Sequence, residues 1–414
     1  MRLLTAFISL TLASTLQAQT SWTVSKSDPG ANFTEIQAAV NSATSGDTLL
    51  IDPGFYSDFV IDGKGLHLVA EPGGLVVVLG GQLSGAKVSV VNLPAGRAVS
   101  MRGLSISGFS SPSVSKLGLR LLNNQGQIWL EELGIEAPFA FIPTSDTHAI
   151  SAVNCDTVTI VNCVLSGGTE SSGLFTDTSN VYAFGCSFTG GDGRSFNLTN
   201  LYNGGDGVEV VSGEFYAAES TFAGGDGSDP EFNCLPATDG GNAVLVEAGN
   251  FLDRTNTFTA GDGGFVDRAT GCTNPDGLDG QPVLLGVSGT TSNFVEPSRY
   301  VTANSPVFEG QVASHVYHGV PGEFVLMSIG FSLTPGLFTP DYLGPFLIGD
   351  PRVTRLIGML NGNGTRTLSF TLQELGFDSV TGYIHSGYLD PLTFTWRLGS
   401  PSAVTFMNSD LLGP

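Results

Sequence analysis

The sequence predicts an all-β protein: a solenoid of short parallel strands followed by a small antiparallel β-sandwich. Three observations carry this. Glycine supplies 56 of 414 residues and charged residues only 13 %, a composition that disfavours helix interiors and excludes both coiled coils and charge-rich disorder. One apolar spacing, offsets 0, 2, 5 and 7, recurs along the middle of the chain. The texture then changes near Ser292, where Gly–Asp motifs give way to Leu, Phe and Pro.

Residues 1–18, MRLLTAFISLTLASTLQA, have one positive charge, an apolar stretch and small residues near Ala18. This reads as a secretory signal peptide, too short to span a bilayer. Its removal after Ala18 leaves 15 basic against 38 acidic residues. The acidity argues against nucleic acid or an anionic membrane as partner. An extracellular polysaccharide or a cell-surface component is the expected partner class. The next unit, 19–45, contains FTEIQAAVNSA, an amphipathic helix with Ile36, Ala39 and Val40 on one face. It is placed to cap the apolar end of a solenoid.

The solenoid is assigned to 46–291. Its code runs Val99/Met101/Leu104/Ile106, Ile128/Leu130/Leu133/Ile135, Val158/Ile160/Cys163/Leu165, Val181/Ala183/Cys186/Phe188, Phe215/Ala217/Ser220/Phe222 and Phe251/Asp253/Asn256/Phe258. Offsets 0 and 2 put two side chains on one strand face; 5 and 7 do so again after a one-residue slip at a bend. Like positions should stack from coil to coil, with unequal loops ejected at one corner. A β-sandwich would also alternate, but not by one four-position code repeated six times. Asp253 interrupts an interior column, and a distorted coil is expected there because a buried unpaired carboxylate is costly.

IQAAVNSATSGDTLLIDPGFYSDFVIDGKGLHLVAEPG resembles the opening of right-handed parallel β-helix proteins of the pectin-lyase-like superfamily, and VTIVNCVLSGG and VYAFGCSFTGG resemble its generic coil. The resemblance spans about residues 33–290 and implies a right-handed parallel β-helix. It does not bring an active site with it. The QDT- and DFIFG-like segments of pectinesterases are absent, and GFYSDF has Asp58 where their segment carries Glu. The NTD, DD and GHG signatures of polygalacturonases are absent as well. A pectate-lyase-like base would need a cation, and Arg194 and Arg268 are the candidates within the acidic stretch; neutralising neighbouring carboxylates is their simpler role.

The distinctive local motif is the Gly–Asp loop, GGDG at Gly190, Gly204 and Gly224 with relatives near Asp239, Asp262 and Asp279. Asp192, Asp226 and Asp262 each follow a column Phe by four residues and should stack. Asp206, Asp239 and Asp279 precede their apolar pairs in nearly one register. Gly and Asp at such positions serve turns. Stacked carboxylates would also suit calcium, making these six residues the candidate metal ligands and Ca2+ the only cofactor considered. Cys234 and Cys272, in loops of adjacent coils of an exported chain, are expected to form a disulfide, and Cys163 and Cys186 to stack as thiols.

Residues 292–414 read as the sandwich, with GEFVLMSI, TLSFTL, AVTFM and the alternating LTFTWRL as strands. GxPG and DP motifs, here 319–322 and Asp390-Pro391, resemble a C-terminal module of secreted bacterial β-helix proteins and imply attachment or display. His67 should point outward from its strand, and His315, His318 and His385 are an alternative metal trio. No GxSxG, HExxH or phosphate loop is present. The reading is therefore a secreted or surface β-helix with a binding or structural role, with a polysaccharide lyase or hydrolase working in a groove along the helix as the rival.

Overall fold

The computed structural model describes residues 19–79, 85–107, 117–137, 147–194, 201–230, 235–266, 272–339 and 341–412. The segment read as a signal peptide lies outside them. From Ser21 to Phe294 the chain forms a parallel β-helix whose coils each contribute up to three short strands, stacked in register on three faces.

The first face runs from Ser21–Val24 through Thr48–Ile51, His67–Ala70 and Ala98–Arg102 to 127–131, 157–161, Ser179–Phe184, 213–218, 250–254 and Thr290–Phe294. The second runs from Gly54–Tyr56 to Thr257–Thr259. The third holds Phe59–Asp62, Ala86–Val91, 117–122, 150–153, Leu174–Asp177, 208–212, 244–248 and Val283–Leu285.

The slip in the apolar code has a single cause. The residue at offset four is left-handed in every copy: Gly103, Glu132, Asn162, Gly185, Glu219 and Thr255 have φ between 51 and 75°. One such residue turns the chain from the first face to the second and resets which side chains point inward. Asn92, Asn123 and Asn154, with φ of 55, 56 and 55°, turn the corner from the third face to the first. Asn154 donates to Asn123 Oδ1 at 3.0 Å, so the corner is stapled between coils.

Both predicted interior columns form. Ile128, Val158, Val181, Phe215 and Phe251 are register partners, as are Ile135, Leu165, Phe188, Phe222 and Phe258. Phe188, Phe222 and Phe258 stack with centroids 5.1 and 5.3 Å apart. Phe258, in the last rung, is only partly buried. Burying one such ring stabilises by about 2 kcal/mol. The expected distortion at Asp253 does not occur. Asp253 keeps its register opposite Ala217, because Asn256 Nδ2 donates to its carboxylate at 2.8 Å, and burial raises its pKa. The helix Ile36–Ser42 buries Ile36, Ala39 and Val40 over the first coil and closes that end.

The stacked parallel coils stop after Phe294. Beyond it, Tyr300–Ala303, Val312–His318 and Thr365–Thr371 form one antiparallel sheet. Phe324–Gly330, Arg352–Met359, Ser379–Leu389 and Ser402–Met407 form a second, and the two share a core around Tyr317, Ile384 and Tyr388. The LTFTWRL segment is a strand only at Trp396–Leu398. Asp390 caps a turn over its first part, accepting from the Leu392 amide and Thr393 Oγ1 at 2.8 Å each, and leaves Leu392 and Phe394 exposed. Local Asx-turn bonding overrides the alternation.

Candidate functional site

A flat parallel face is the natural place for a long ligand, so the first question is which faces are open. The first face is closed. Its outward residues Trp129, Val161, Tyr182, Phe184, Tyr216 and Leu252 are buried in one apolar cluster with Leu347, Ile348, Tyr383 and Ala403 of the C-terminal module. Trp129 and Tyr383 rings lie 5.1 Å apart. Tyr182 Oη donates to Gly336 O at 2.8 Å, and Arg254 donates to Leu398 O at 2.6 Å. The contact extends to the N-terminal coils, where Ser379 Oγ donates to Thr48 Oγ1 at 2.8 Å.

At the centre of this interface Glu131 accepts from Trp129 Nε1, Ser402 Oγ and the Ala403 amide at 2.8, 2.7 and 2.8 Å. Arg102 pairs with it at 3.2 Å. Burial pushes the Glu131 carboxyl up and Arg102 opposes the shift. His67 does point outward from its strand, but into this interface. It shares a hydrogen bond with Ser100 Oγ at 2.7 Å, and burial brings its pKa down to about 4.

The third face carries a different surface. One outward ladder reads Ser89, Arg120, Ser151, Phe175, Glu209 and Leu245 on successive coils, at rungs of roughly 4.8 Å. Arg120 is exposed and Phe175 and Glu209 are half-buried. Asp177 and Glu247 flank this ladder on the same face. At the corner leading into it, His148 stacks on Phe175 with centroids 4.8 Å apart and planes 23° apart.

His148 Nδ1 accepts from the Ser172 amide at 3.1 Å. An amide can only donate, so Nδ1 is unprotonated and the ring proton sits on Nε2. Ser172 Oγ donates to Glu209 Oε2 at 3.2 Å. Burial raises the Glu209 carboxyl to about 7, with Asp206 adding to the shift. The strip thus brings together an aromatic platform, a fixed imidazole, a hydroxyl and a carboxyl that titrates near neutrality. The sequence hides it, because Phe175 occupies an ordinary outward strand position and His148 lies outside any strand.

The Gly–Asp motifs lie where the chain passes from the second face to the third. Their extended limbs interlock through a continuous chain of amide-to-carbonyl bonds: Gly205 to Gly191, Gly225 to Gly205, Gly241 to Gly225, Gly261 to Gly241 and Gly280 to Gly261, all 2.7–2.9 Å. Asp192, Asp226 and Asp262 stack as expected, and the first two carboxylates each serve the next coil. The Asp226 amide donates to Asp192 at 3.2 Å and the Asp262 amide to Asp226 at 2.9 Å.

The other three candidate ligands do not share a register. Asp206 stacks with Asn242, whose amide donates to it at 2.6 Å. Asp239 accepts from Leu278 at 2.8 Å, and Asp279 accepts from Gly263 at 2.9 Å. The reason is that Asn203, not Asp206, occupies the rung below Asp239, whose amide donates to Asn203 Oδ1 at 3.2 Å. Among the described residues no group of three His, Cys, Asp or Glu is placed to hold a metal ion.

Arg194 is exposed at the end of the first limb. Arg268 and Cys234 lie outside the described residues. Cys163 and Cys186 are free buried thiols, as is Cys155. The three histidines of the alternative trio do not converge. His315 is buried against Phe370, His318 stacks on Tyr300, and His385 stacks on Phe346 and bonds Gly399 O.

No protein-family model matches the chain, and no curated protein matches it in sequence. Solved structures similar to part of it include the pectin methylesterase of Aspergillus niger, at 16 % identity and a TM-score of 0.32, covering 50 % of this chain and 79 % of that one. Likeness at that level carries no statement about chemistry. The parallel β-helix rests on the strand pairing described above.

Proposed function

We propose that the protein is an exported β-helix that binds carbohydrate along its third face. The observation that carries this reading is the Arg120–Ser151–Phe175–Glu209 ladder, with Arg120 exposed, Phe175 and Glu209 half-buried, Ser151 buried between them and His148 stacked on Phe175, beside a first face covered from Trp129 to Leu252 by the protein's own C-terminal module. A half-exposed ring between hydrogen-bonding side chains suits the apolar face and hydroxyl rim of a sugar. Asp177, Glu209 and Glu247 on the strip, within a chain of net charge −22, favour neutral or amino sugars over polyuronates. Export follows from the N-terminal segment, and the Cys234–Cys272 disulfide belongs to the same reading.

The rival is an enzyme in which Glu209 serves as general acid or base. Its pKa of about 7 and the Ser172 hydroxyl on its carboxylate favour this second reading. Arg194 and Arg268 remain the lyase-type candidates, and calcium the candidate ion for the Asp rows. A glycan array with purified protein, followed by product analysis on the bound glycans, tests both. Binding of neutral or amino sugars without turnover supports the first reading, turnover lost in Glu209→Gln supports the second, and no binding at all refutes both.

A further inference from the structure

The two ends of the β-helix are treated differently. The N-terminal end is closed by the helix Ile36–Ser42, with Ile36, Ala39 and Val40 buried. At the other end, Thr257–Thr259, Val283–Leu285 and Thr290–Phe294 are the last strands of their ladders and pair on one side only. Leu284 and Leu285 are each 42 % exposed, Val287 107 % and Val295 88 %.

The chain does not turn back over this end. Glu296 is held at the side by Thr255, whose hydroxyl donates to Glu296 O at 2.6 Å, and the Arg299 amide reaches Glu219 at 2.8 Å, further back along the helix. Among the described residues, nothing covers the terminal coil. Open strand edges are usually guarded by charges or proline. Here the three terminal strands, Thr257–Thr259, Val283–Leu285 and Thr290–Phe294, hold no Asp, Glu, Lys or Arg, while Pro282, Asp276, Asp279 and Glu296 lie in the segments that flank them.

We infer that this end is a two-fold interface with a second copy of the chain. Three features select that occupant. The exposed edges offer a row of amides and carbonyls that another strand edge can pair in full. Two copies of an acidic chain repel each other least where they meet through uncharged strands. The helix at the opposite end blocks head-to-tail stacking, so open end must meet open end, which is an isologous contact. A two-fold axis normal to one face lets the terminal strand of that face pair antiparallel with itself, while the other two faces exchange strands.

Sedimentation velocity and light scattering on the full exported chain, with reductant present, test this. The wild type should have twice the mass of one chain. Leu284→Glu/Val287→Glu should have the mass of one chain with an unchanged far-ultraviolet circular dichroism spectrum, and its melting midpoint should no longer rise with protein concentration as the wild type's does. Amides of 290–294 should exchange slowly in the wild type and fast in the double variant. A wild type with single-chain mass at every loading concentration overturns the inference. So do filaments that lengthen with concentration, which would mean head-to-tail contact, and a dimer that disappears under reductant, which would mean a disulfide link.

Discussion

Replacing Gly225 by Ala tests whether the Gly–Asp texture is an interlocked structure or a set of independent turns. A Cβ at Gly225 would sit 2.3 Å from Gly191 O, 2.5 Å from Gly191 C and 2.9 Å from Asp192 N. All three are backbone atoms of a neighbouring limb and cannot rotate away. Ordinary contact requires the limbs to part by about 1 Å, since packed cores do not absorb an added methyl freely. The bonds at stake are Gly225 to Gly205 O and Gly241 to Gly225 O, each 2.8 Å. Two backbone bonds at about 1 kcal/mol each, with overpacking strain of about 1–3 kcal/mol, give a loss of about 3–5 kcal/mol. The matched control is Gly362→Ala, where nothing lies within 4 Å of the added Cβ; it should be neutral or stabilising by up to about 1 kcal/mol. Equilibrium urea unfolding, with limited proteolysis to locate the opening near residues 190–280, reads both. If Gly225→Ala unfolds with the wild type, the limbs are not packed as described and the glycines serve only turns.

Arg102→Met leaves Glu131, 1 % exposed, without its ion pair and should cost about 3–5 kcal/mol; Arg102→Met/Glu131→Gln, which removes the unpaired charge and keeps an acceptor for Trp129, Ser402 and Ala403, should recover part of it, both read by urea unfolding. Glu209→Gln should change the pH dependence of stability. The folded pKa is raised from 4.5 to about 7, so the wild type's favourable contribution is complete below the unfolded pKa and is lost as pH rises through 7. The variant should therefore be the more stable by about 1–2 kcal/mol at pH 8, after allowing for solvent screening, and lose that advantage near pH 5. Asp226→Asn keeps an acceptor for the Asp262 amide and should melt within about 0.5 kcal/mol of the wild type, while Asp226→Ala should lose about 1 kcal/mol. Millimolar calcium should raise the wild-type melting midpoint modestly over chelator; an unchanged midpoint would leave the Asp rows as turns that serve only amides.

Much of the β-helix was legible because its interior obeys a short-range rule. Strand alternation with one left-handed residue at offset four makes the 0, 2, 5, 7 code readable without any long-range information, down to both Phe columns. The covered first face was not read, although a signal existed. Its strands IWL, VYAF and FYAA are apolar at outward positions too, the pattern of a sheet buried on both sides. The Phe175 strip was illegible for a different reason. His148, Ser172 and Glu209 meet only through inter-coil register, and loops of unequal length hide that register in the sequence. At Asp390 the alternation misled, because a side-chain cap is locally stronger than the strand tendency.

Titration calorimetry of the best oligosaccharide from the array against the wild type and Phe175→Ala tests the central claim most directly. Loss of one stacking platform is worth about 1.4 kcal/mol. The variant should bind about tenfold more weakly while keeping the wild type's circular dichroism spectrum and a cooperative melt, its midpoint lowered only by loss of the His148 stack. Equal affinity in the two proteins would place the sugar elsewhere and contradict the assignment of the third face as the binding surface.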